Sequence, residues 1–429
     1  MARASSASTV IIAALMLFSM FFGAGNLIFP PMVGVLSGTN FWPAILGFLT
    51  AGVALPVLAV VAVAISGRSV RDIGNHGGLL FGIVFSAMAY LAIGAFYALP
   101  RTGAVAMETA ITPLLGWESG GLFNLGFFLV ALALSWKPNS IIDTLGRFLT
   151  PALVGLLVLL IALASLRGTR NPGAPSAEYA TNPMVTGLFE GYNTMDAIAG
   201  LAFSIVIVSS LRAKGFGPGA PVIKATITAA SIAGVLLAGI YLGLGYIAQT
   251  VPNQQSYDSG ALLLADTASA TMGTAGQVVF STIVILACMT TAVGLITATS
   301  EFFESLVPRT SYHFWAVLFT ALSIAFAFQG LETVLSIAVP FILFLYPPAI
   351  TLIFSTLLQP LVARFLRFYW AYRLSLWVSV AWSAASVLEL GAWLEYSPGQ
   401  DVGLGWVAPT ALAFIIGAVI DATSTKTKN

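Results

Sequence analysis

Charged residues are scarce in this sequence. Only 8% of its 429 residues are Asp, Glu, Lys or Arg, against 58% hydrophobic residues, whereas about a quarter of the residues in a soluble domain are charged. A water-soluble core of this size cannot absorb so much apolar surface. The formal net charge of +1 gives no electrostatic argument for nucleic acid or for an acidic partner. The solvent of this fold is therefore membrane lipid.

Residue types that carry catalysis or bind metals are equally rare. The chain has one cysteine, Cys288, and two widely separated histidines, His76 and His313. A single cysteine excludes an intrachain disulfide and a cysteine metal cluster, and its apolar neighbours indicate a packing role. No HExxH, GxSxG or P-loop pattern occurs. These absences weigh against a membrane-embedded enzyme and indicate no cofactor.

Long apolar runs separate the few charged residues. A helix needs about 20 largely apolar residues to cross a bilayer, and such runs recur along nearly the whole chain. The pattern predicts an all-α polytopic membrane protein with twelve spans. They are expected at residues 8–36, 41–66, 79–101, 121–136, 141–166, 183–211, 222–248, 277–306, 314–328, 333–358, 374–392 and 403–420.

The distribution of positive charge supports this count. Lys and Arg concentrate in cytoplasmic loops, and only Arg101, Arg167 and Arg170 fall on the outer side when the N-terminus is placed inside. A wrong count before the middle of the chain would destroy this asymmetry. The sequence therefore predicts a protein of the cytoplasmic (inner) membrane with both termini cytoplasmic.

The loops suggest an internal division. The outer loop 167–182, with its prolines, separates two groups of five spans. A single transmembrane domain is predicted, with one repeat at about 8–170, an inverted second repeat at about 183–358, and two additional helices at 374–420. The outer loop 251–276 contains a possible short helix, Ala261 to Ala268, which serves either as a cover or as a plain connector.

Two spans contain residues that disfavour a continuous helix. Phe22, Gly23, Ala24, Gly25 and Asn26 interrupt the first, and glycine costs about 1 kcal/mol relative to alanine in a helix. The sixth carries the second interruption, which contains two carboxylates in mid-membrane: Glu190, Gly191, Tyr192, Asn193, Thr194, Met195 and Asp196. Non-helical backbone at this depth survives only beside protein or a water-filled cavity. The alternative for the glycines is close helix packing.

Matching breaks in the first helix of each half are typical of inverted-repeat transporters. Freed amides suit a carboxylate and freed carbonyls suit a cation. In the eighth span, Ala287, Thr290 and Thr291 lie within one turn and offer oxygens for a hard monovalent cation. Back-bonding of the hydroxyls to their own helix is the alternative.

The run from Leu17 to Pro31 closely resembles the bacterial branched-chain amino acid:cation symporters. The segment from Glu190 to Ala197 matches that family's Gly-Tyr-x-Thr-Met/Leu-Asp-Ala element, and Pro100-Arg101-Thr102 is a third match. The resemblance covers essentially the full length. It implies a LeuT-like fold with discontinuous helices 1 and 6, and symport of leucine, isoleucine and valine, usually with Na⁺.

The resemblance also implies a site. In the wider sodium-coupled amino acid transporters, similar motifs would place Na⁺ on the carbonyls of Ser19, Phe22 and Ala287 and on the hydroxyls of Thr290 and Thr291. The charged ends of the substrate would lie against the backbone of Phe22 to Asn26 and of Gly191 to Thr194. Phe22, Tyr192 and Met195 would enclose its aliphatic tail. Met107 replaces an aromatic residue expected in the third span.

The remaining charged residues have competing interpretations. Glu190 and Asp196 either cap the unwound segment or couple transport to protons. Arg101 and Glu108, placed near the outer end of the third span, either form an ion pair or gate, or anchor the helix at the interface. Glu301 and Glu304 are interpreted as interfacial residues, with gating as the second interpretation.

Three functions compete: a cation-coupled symporter, a membrane enzyme, and a channel or receptor. A channel needs polar rings along its whole path, whereas polarity here is concentrated at two breaks. The sequence therefore favours a carrier. Within that class, a proton-coupled carrier of another small neutral amino acid or zwitterion is the alternative to the sodium symporter.

Overall fold

The computed structural model describes residues 6–66, 69–117, 120–251, 257, 259–329 and 331–426. Arg68 and the terminal Arg3 and Lys428, which contributed to the predicted charge asymmetry, lie outside these residues. The described chain is helical and contains no β-strand. Eight of its helices are long and apolar enough to cross a membrane, and shorter apolar helices supplement them. The prediction of an all-α polytopic protein is confirmed.

The first six spans follow the predicted order. Their α-helices are Ser6–Phe21 and Ala24–Ser37 in span 1, Phe41–Leu49 and Leu55–Ser66 in span 2, Leu79–Leu91, Ala98–Ala106 and Thr112–Leu115 in span 3, Gly120–Ser135 in span 4, Ile141–Asp143 and Thr150–Arg167 in span 5, and Pro183–Asn193 and Asp196–Ala213 in span 6. Single π-helical segments join the pieces of spans 2 and 5, and two such segments interrupt span 3.

The second half has longer, less interrupted helices. They are Ala220–Ala248 in span 7, Thr274–Leu306 in span 8, Tyr312–Ala327 in span 9, Leu331–Val362 in span 10, Trp370–Val387 in span 11 and Val407–Lys426 in span 12. Helix Gly260–Met272 lies between spans 7 and 8 and confirms the short helix predicted there. Two further short helices, Val70–Gly74 and Ala177–Thr181, lie in connections.

Burial separates central from peripheral helices. In the most apolar stretch of each, 78% of the residues are buried in the second half of span 6 and 72% in span 8, against 28% in span 5 and 22% in span 12. Exposed leucines and valines such as Leu129, Val235 and Val419 give the peripheral helices an apolar outer surface. Such a surface suits hydrocarbon. The second half of span 6 and span 8 therefore lie at the protein interior, as does the first half of span 1, most of whose residues are buried.

Close backbone contact joins span 6 to span 2. A Cβ atom on Gly187 would overlap the carbonyl oxygen of Ala44, and one on Gly47 would overlap that of Met184. The small residues let the helices approach until backbone touches backbone, as is common in membranes. This contact holds the first half of span 6 in place beside its break.

Span 3 is longer than predicted. Its helical course runs from Leu79 to Leu115, with a non-helical kink at Gly94. Arg101 therefore lies inside the span, where its side chain is only 8% exposed. The prediction that Arg101 anchors the helix at the interface is wrong, because the charged residue was taken as the end of an apolar run that continues past it.

Candidate functional site

The first break lies at Phe22 and Gly23. Helix Ser6–Phe21 ends there, and Gly23 adopts an extended conformation before the next helix begins at Ala24. Asn26 turns back on the break, where its Oδ1 accepts a hydrogen bond of 3.1 Å from the Gly23 amide. The side chain thus satisfies one backbone donor that the interruption leaves free. The Nδ2 atom of Asn26 has other partners, in spans 6 and 7.

The second break lies at Thr194 and Met195. The Thr194 hydroxyl donates to the carbonyl of Gly191 at 2.7 Å, and the amide of Met195 donates to the carbonyl of Tyr192. Met195 has a φ of 65°, in the left-handed region that ordinary residues avoid. The next helix begins at Asp196. Both predicted interruptions are therefore present.

The left-handed conformation of Met195 gives a testable prediction. Both Met195→Gly and Met195→Ala lose the buried side chain, but only glycine adopts this φ freely, since the left-handed region costs other residues about 1–2 kcal/mol. We expect the glycine variant to have the higher unfolding temperature in detergent. The matched pair Ile198→Gly and Ile198→Ala, in the first turn of the helix, should show the opposite order. An alanine advantage at both positions would contradict the prediction.

Oxygen atoms from spans 1 and 8 meet beside the first break. The Thr290 hydroxyl donates to the carbonyl of Ser19 at 3.0 Å and to that of Ala287 at 3.1 Å. The Thr291 hydroxyl lies 3.3 Å from the Ser19 carbonyl and 3.2 Å from that of Met20. We call these five oxygens the oxygen cluster. Thr290 and Ser19 are fully buried, and neutral oxygens of this kind suit a hard monovalent cation.

A polar network joins the two breaks. Asn26 Nδ2 donates to Oδ2 of Asp196 at 2.7 Å and also contacts the Tyr241 hydroxyl, which itself lies 3.3 Å from the same carboxylate oxygen. Thr194 is a further partner of this carboxylate. Asn26, Tyr241 and Asp196 are all almost completely buried. Spans 1, 6 and 7 therefore meet at one carboxylate.

Arg101 of span 3 places a positive charge near the Asp196 carboxylate. Its Nη1 donates to the hydroxyl of Tyr97, and its guanidinium lies 4.9 Å from the centre of the Tyr97 ring. A Cβ atom on Gly25 would overlap Nη2 of Arg101, so the guanidinium lies directly against the first turn of the second half of span 1. A larger residue at this position would displace the guanidinium.

A small cavity lies between these groups. Its volume is about 30 Å³, and both Arg101 and Asp196 line it. Apolar residues from spans 1, 3, 6 and 8 form most of the remaining wall: Met20, Phe21, Ile93, Met195, Phe203 and Leu295. The cavity also reaches Gly23, Asn26, Thr194 and Thr291. It therefore connects both breaks with the oxygen cluster, and we call it the central cavity.

Other predicted substrate residues lie elsewhere. Phe22 is stacked between Phe18 and Tyr241 and does not line the central cavity. Tyr192 stacks on Tyr346, whose hydroxyl donates to the Tyr192 carbonyl. Gly191 packs against the backbone of span 2. Ala24 begins a helix, and its side chain lies outside the described part of the structure.

Glu190 is not part of the central cavity. It hydrogen-bonds Asn193 and faces a separate cavity of about 620 Å³. This larger cavity has a second carboxylate, Glu178, and aromatic walls that include Trp382 and Trp406. Glu190 and Asp196, the two carboxylates that flank the second break, therefore line different cavities.

Two further carboxylates also lie outside the central cavity. Glu108 is exposed, about two helical turns beyond Arg101. Glu301 accepts hydrogen bonds of 3.1 and 3.3 Å from the Ser209 hydroxyl of span 6 and is only partly exposed. The interfacial interpretation therefore describes Glu301 incompletely, because its carboxylate connects two spans.

Several site residues were missed by sequence reasoning. Tyr97 has a signal in hindsight, since it lies four residues before Arg101 and directly precedes helix Ala98–Ala106, and four-residue spacing at a helix start brings side chains together. Tyr241, Phe203 and Leu295 have none, because each is an apolar or aromatic residue within a uniformly apolar span. The Met20 carbonyl was missed because every residue has a backbone carbonyl, so the sequence does not indicate which one faces the oxygen cluster.

Comparison with known proteins matches the whole chain. A family model described as "Branched-chain amino acid transport protein" matches residues 6–424. The branched-chain amino acid permease BrnQ of Corynebacterium glutamicum is 52% identical over 97% of this chain and 96% of its own length. The protein of the same name in Bacillus subtilis is 38% identical over the full length of both chains.

A solved structure gives the fold. Mhp1, a nucleobase-cation-symport-1 family transporter in a closed conformation with bromovinylhydantoin bound, superposes with a TM-score of 0.62. The superposition covers 97% of this chain and 93% of that chain at 16% sequence identity. The expected LeuT-like fold is confirmed.

Proposed function

Because the chain belongs to the branched-chain amino acid transport protein family, we propose that it carries leucine, isoleucine and valine across the cytoplasmic membrane with Na⁺. The chain is a transporter and not an enzyme. Na⁺ is a co-substrate in this proposal, and the protein moves both solutes inward by alternating access. Both termini are cytoplasmic in the proposed orientation.

The oxygen cluster is the observation that carries sodium coupling. Two hydroxyls of span 8 meet the Ser19 and Met20 carbonyls, and Thr291 of this cluster also lines the central cavity. A cation bound there would join span 8 to the first half of span 1. Binding of the ion and binding of the amino acid would thereby stabilise the same arrangement of helices, which is the physical basis of coupling.

The apolar wall of the central cavity supports a branched aliphatic substrate. Met20, Phe21, Ile93 and Phe203 offer contact surface for methyl groups. At about 30 Å³ the cavity holds about one water, so a leucine side chain requires the helices to separate. Methionine side chains favour such adjustment, since they are unbranched and flexible.

Uptake into proteoliposomes tests this proposal. Radiolabelled leucine is supplied with an inward Na⁺ gradient or an equal K⁺ gradient, at fixed pH and zero membrane potential. A tenfold gradient is worth about 1.4 kcal/mol, enough for about tenfold accumulation of leucine per Na⁺. We expect accumulation with Na⁺ alone, which isoleucine and valine inhibit.

The same experiment separates the alternatives. Equal uptake with both cations, which exceeds the outside leucine concentration only after an inward pH gradient is imposed, would contradict sodium coupling and favour the proton-coupled carrier. Uptake that equilibrates leucine without exceeding the outside concentration would indicate a uniporter. Absence of leucine transport, with transport of another small zwitterion, would overturn the proposed substrates.

A further inference from the structure

Arg101 and Asp196 are buried charges of opposite sign that do not form a direct ion pair with each other. Arg101 is 8% exposed and Asp196 4% exposed. An uncompensated charge in a low-dielectric interior is expensive, and insertion of one at mid-membrane costs about 2.5–3.5 kcal/mol. Direct pairing would be the simplest compensation. Here the two groups attract each other across the central cavity without pairing directly, which leaves room for a third group between them.

Each group retains capacity for a ligand. A guanidinium has five N–H donors, and the described contacts of Arg101 use one of them, toward Tyr97. The carboxylate of Asp196 receives hydrogen bonds from Asn26 and Tyr241 on one oxygen, Oδ2, and has Thr194 as a third partner, whereas a carboxylate has about four acceptor sites. These partners fix the orientation of both charges while leaving the central cavity between them.

We propose that Arg101 and Asp196 form a dipolar clamp, in which Arg101 binds the carboxylate and Asp196 the ammonium group of one zwitterionic amino acid. The inference rests on the proposed function, because it assigns the charged ends of the substrate within the same cavity. A ligand with one charge would compensate only one of the two groups. The clamp therefore selects free amino acids over fatty acids and amines of the same shape.

The backbone around the clamp sets the direction of the substrate. Arg101 lies against Gly25, in the first turn of helix Ala24–Ser37. The N-terminus of a helix attracts anions, so the substrate carboxylate lies at this end. Its ammonium group then lies toward Asp196, and the side chain extends along Phe21, Phe203 and Leu295.

A set of ligands of matched shape tests the clamp. Leucine, 4-methylpentanoate, which lacks the ammonium group, and 3-methylbutylamine, which lacks the carboxylate, compete with radiolabelled leucine on the purified full-length protein in nanodiscs with Na⁺. In the wild type we expect leucine to bind at least a hundredfold more tightly than either analogue.

Charge-removing variants give the decisive comparison. Asp196→Asn keeps the size of the side chain, and we expect at least a tenfold loss of leucine affinity with little change for 4-methylpentanoate. Arg101→Gln should weaken the binding of leucine and leave the affinity for 3-methylbutylamine nearly unchanged. Arg101→Lys, which keeps a positive charge, should retain part of the preference for leucine over 3-methylbutylamine. Glu395→Gln and Arg364→Gln, which alter charges outside the central cavity, should behave like the wild type.

The ratio of affinities distinguishes recognition from a structural role. Equal weakening of leucine and of both analogues would overturn the clamp, since a disturbed cavity affects all three ligands. Wild-type leucine affinity in both variants would also overturn it. A wild type that binds alanine but not leucine, with the same loss in Asp196→Asn, would support the clamp while contradicting the proposed side-chain preference. Binding of no zwitterion would contradict both.

Discussion

Thr290→Val is expected to raise the Na⁺ concentration needed for half-maximal leucine uptake at least tenfold. Valine keeps the shape of threonine but removes the hydroxyl that contacts the Ser19 and Ala287 carbonyls. A buried acceptor that loses its partner costs about 1–3 kcal/mol, and the cation would lose a ligand as well. Uptake measured over a range of Na⁺ concentrations at saturating leucine provides the check.

Two controls separate a lost ligand from a damaged fold. Thr290→Ser keeps the hydroxyl and should retain most of the wild-type Na⁺ dependence. Thr282→Val removes an exposed hydroxyl from the same helix, which donates to the Val278 carbonyl one turn back, and should leave transport unchanged. If Thr290→Val has wild-type Na⁺ dependence, the oxygen cluster is not the coupling site.

The sequence indicates the helical fold well because two of its signals are global. Apolar run length determines the order of spans, and the cost of glycine and carboxylates in mid-membrane marks both breaks. The structure has a helix end at Phe21, directly before the first of these segments, and another at Asn193, inside the second. The boundaries of the two five-span repeats stay a prediction, as does the orientation of the termini.

The site was less predictable, because side-chain direction is not a property of composition. Phe22 and Phe21 are neighbours of the same type, yet Phe21 lines the central cavity and Phe22 stacks away from it on Tyr241. Their directions are set by the helix end between them. The Na⁺ site inferred from resemblance included the Phe22 carbonyl, whereas the described contacts bring the Met20 carbonyl to Thr291. That role of Phe22 stays a prediction.

Arg101 shows how one misplaced boundary changes a functional interpretation. An arginine at the end of an apolar run is normally an interfacial anchor. The same residue in the middle of a span must be compensated, and here it lies between Tyr97 and Gly25. The distinction depends on whether the helix continues beyond it, which the exposed Glu108 obscures in the sequence.

The central cavity also explains why the two breaks belong to one site. Asn26 contributes to both, since it accepts from the Gly23 amide in one span and donates to Asp196 in the other. Movement of either broken helix would alter the spacing between Asp196 and the first turn that Arg101 contacts. A substrate held by both charges would therefore resist separation of the two helices, which is how a ligand favours one conformation over another.

Gly25→Leu is expected to abolish leucine binding and uptake, with a loss of at least a hundredfold. Even a Cβ atom at this position would overlap Nη2 of Arg101, and it would lie 3.4 Å from the Phe29 ring. Overpacking of a filled interior costs about 1–3 kcal/mol, and here it also displaces a buried charge. Binding of radiolabelled leucine to purified protein provides the measurement.

A graded series makes the Gly25 prediction specific. Gly25→Ala should weaken leucine binding less than Gly25→Leu, because the guanidinium is the end of a flexible side chain and moves to accommodate one carbon. Gly126→Leu is the matched control, since a Cβ atom there meets no other atom within 4 Å. It should insert and transport normally. Full leucine affinity in Gly25→Leu would show that neither Gly25 nor the adjacent guanidinium borders the substrate, and would remove Arg101 from the site.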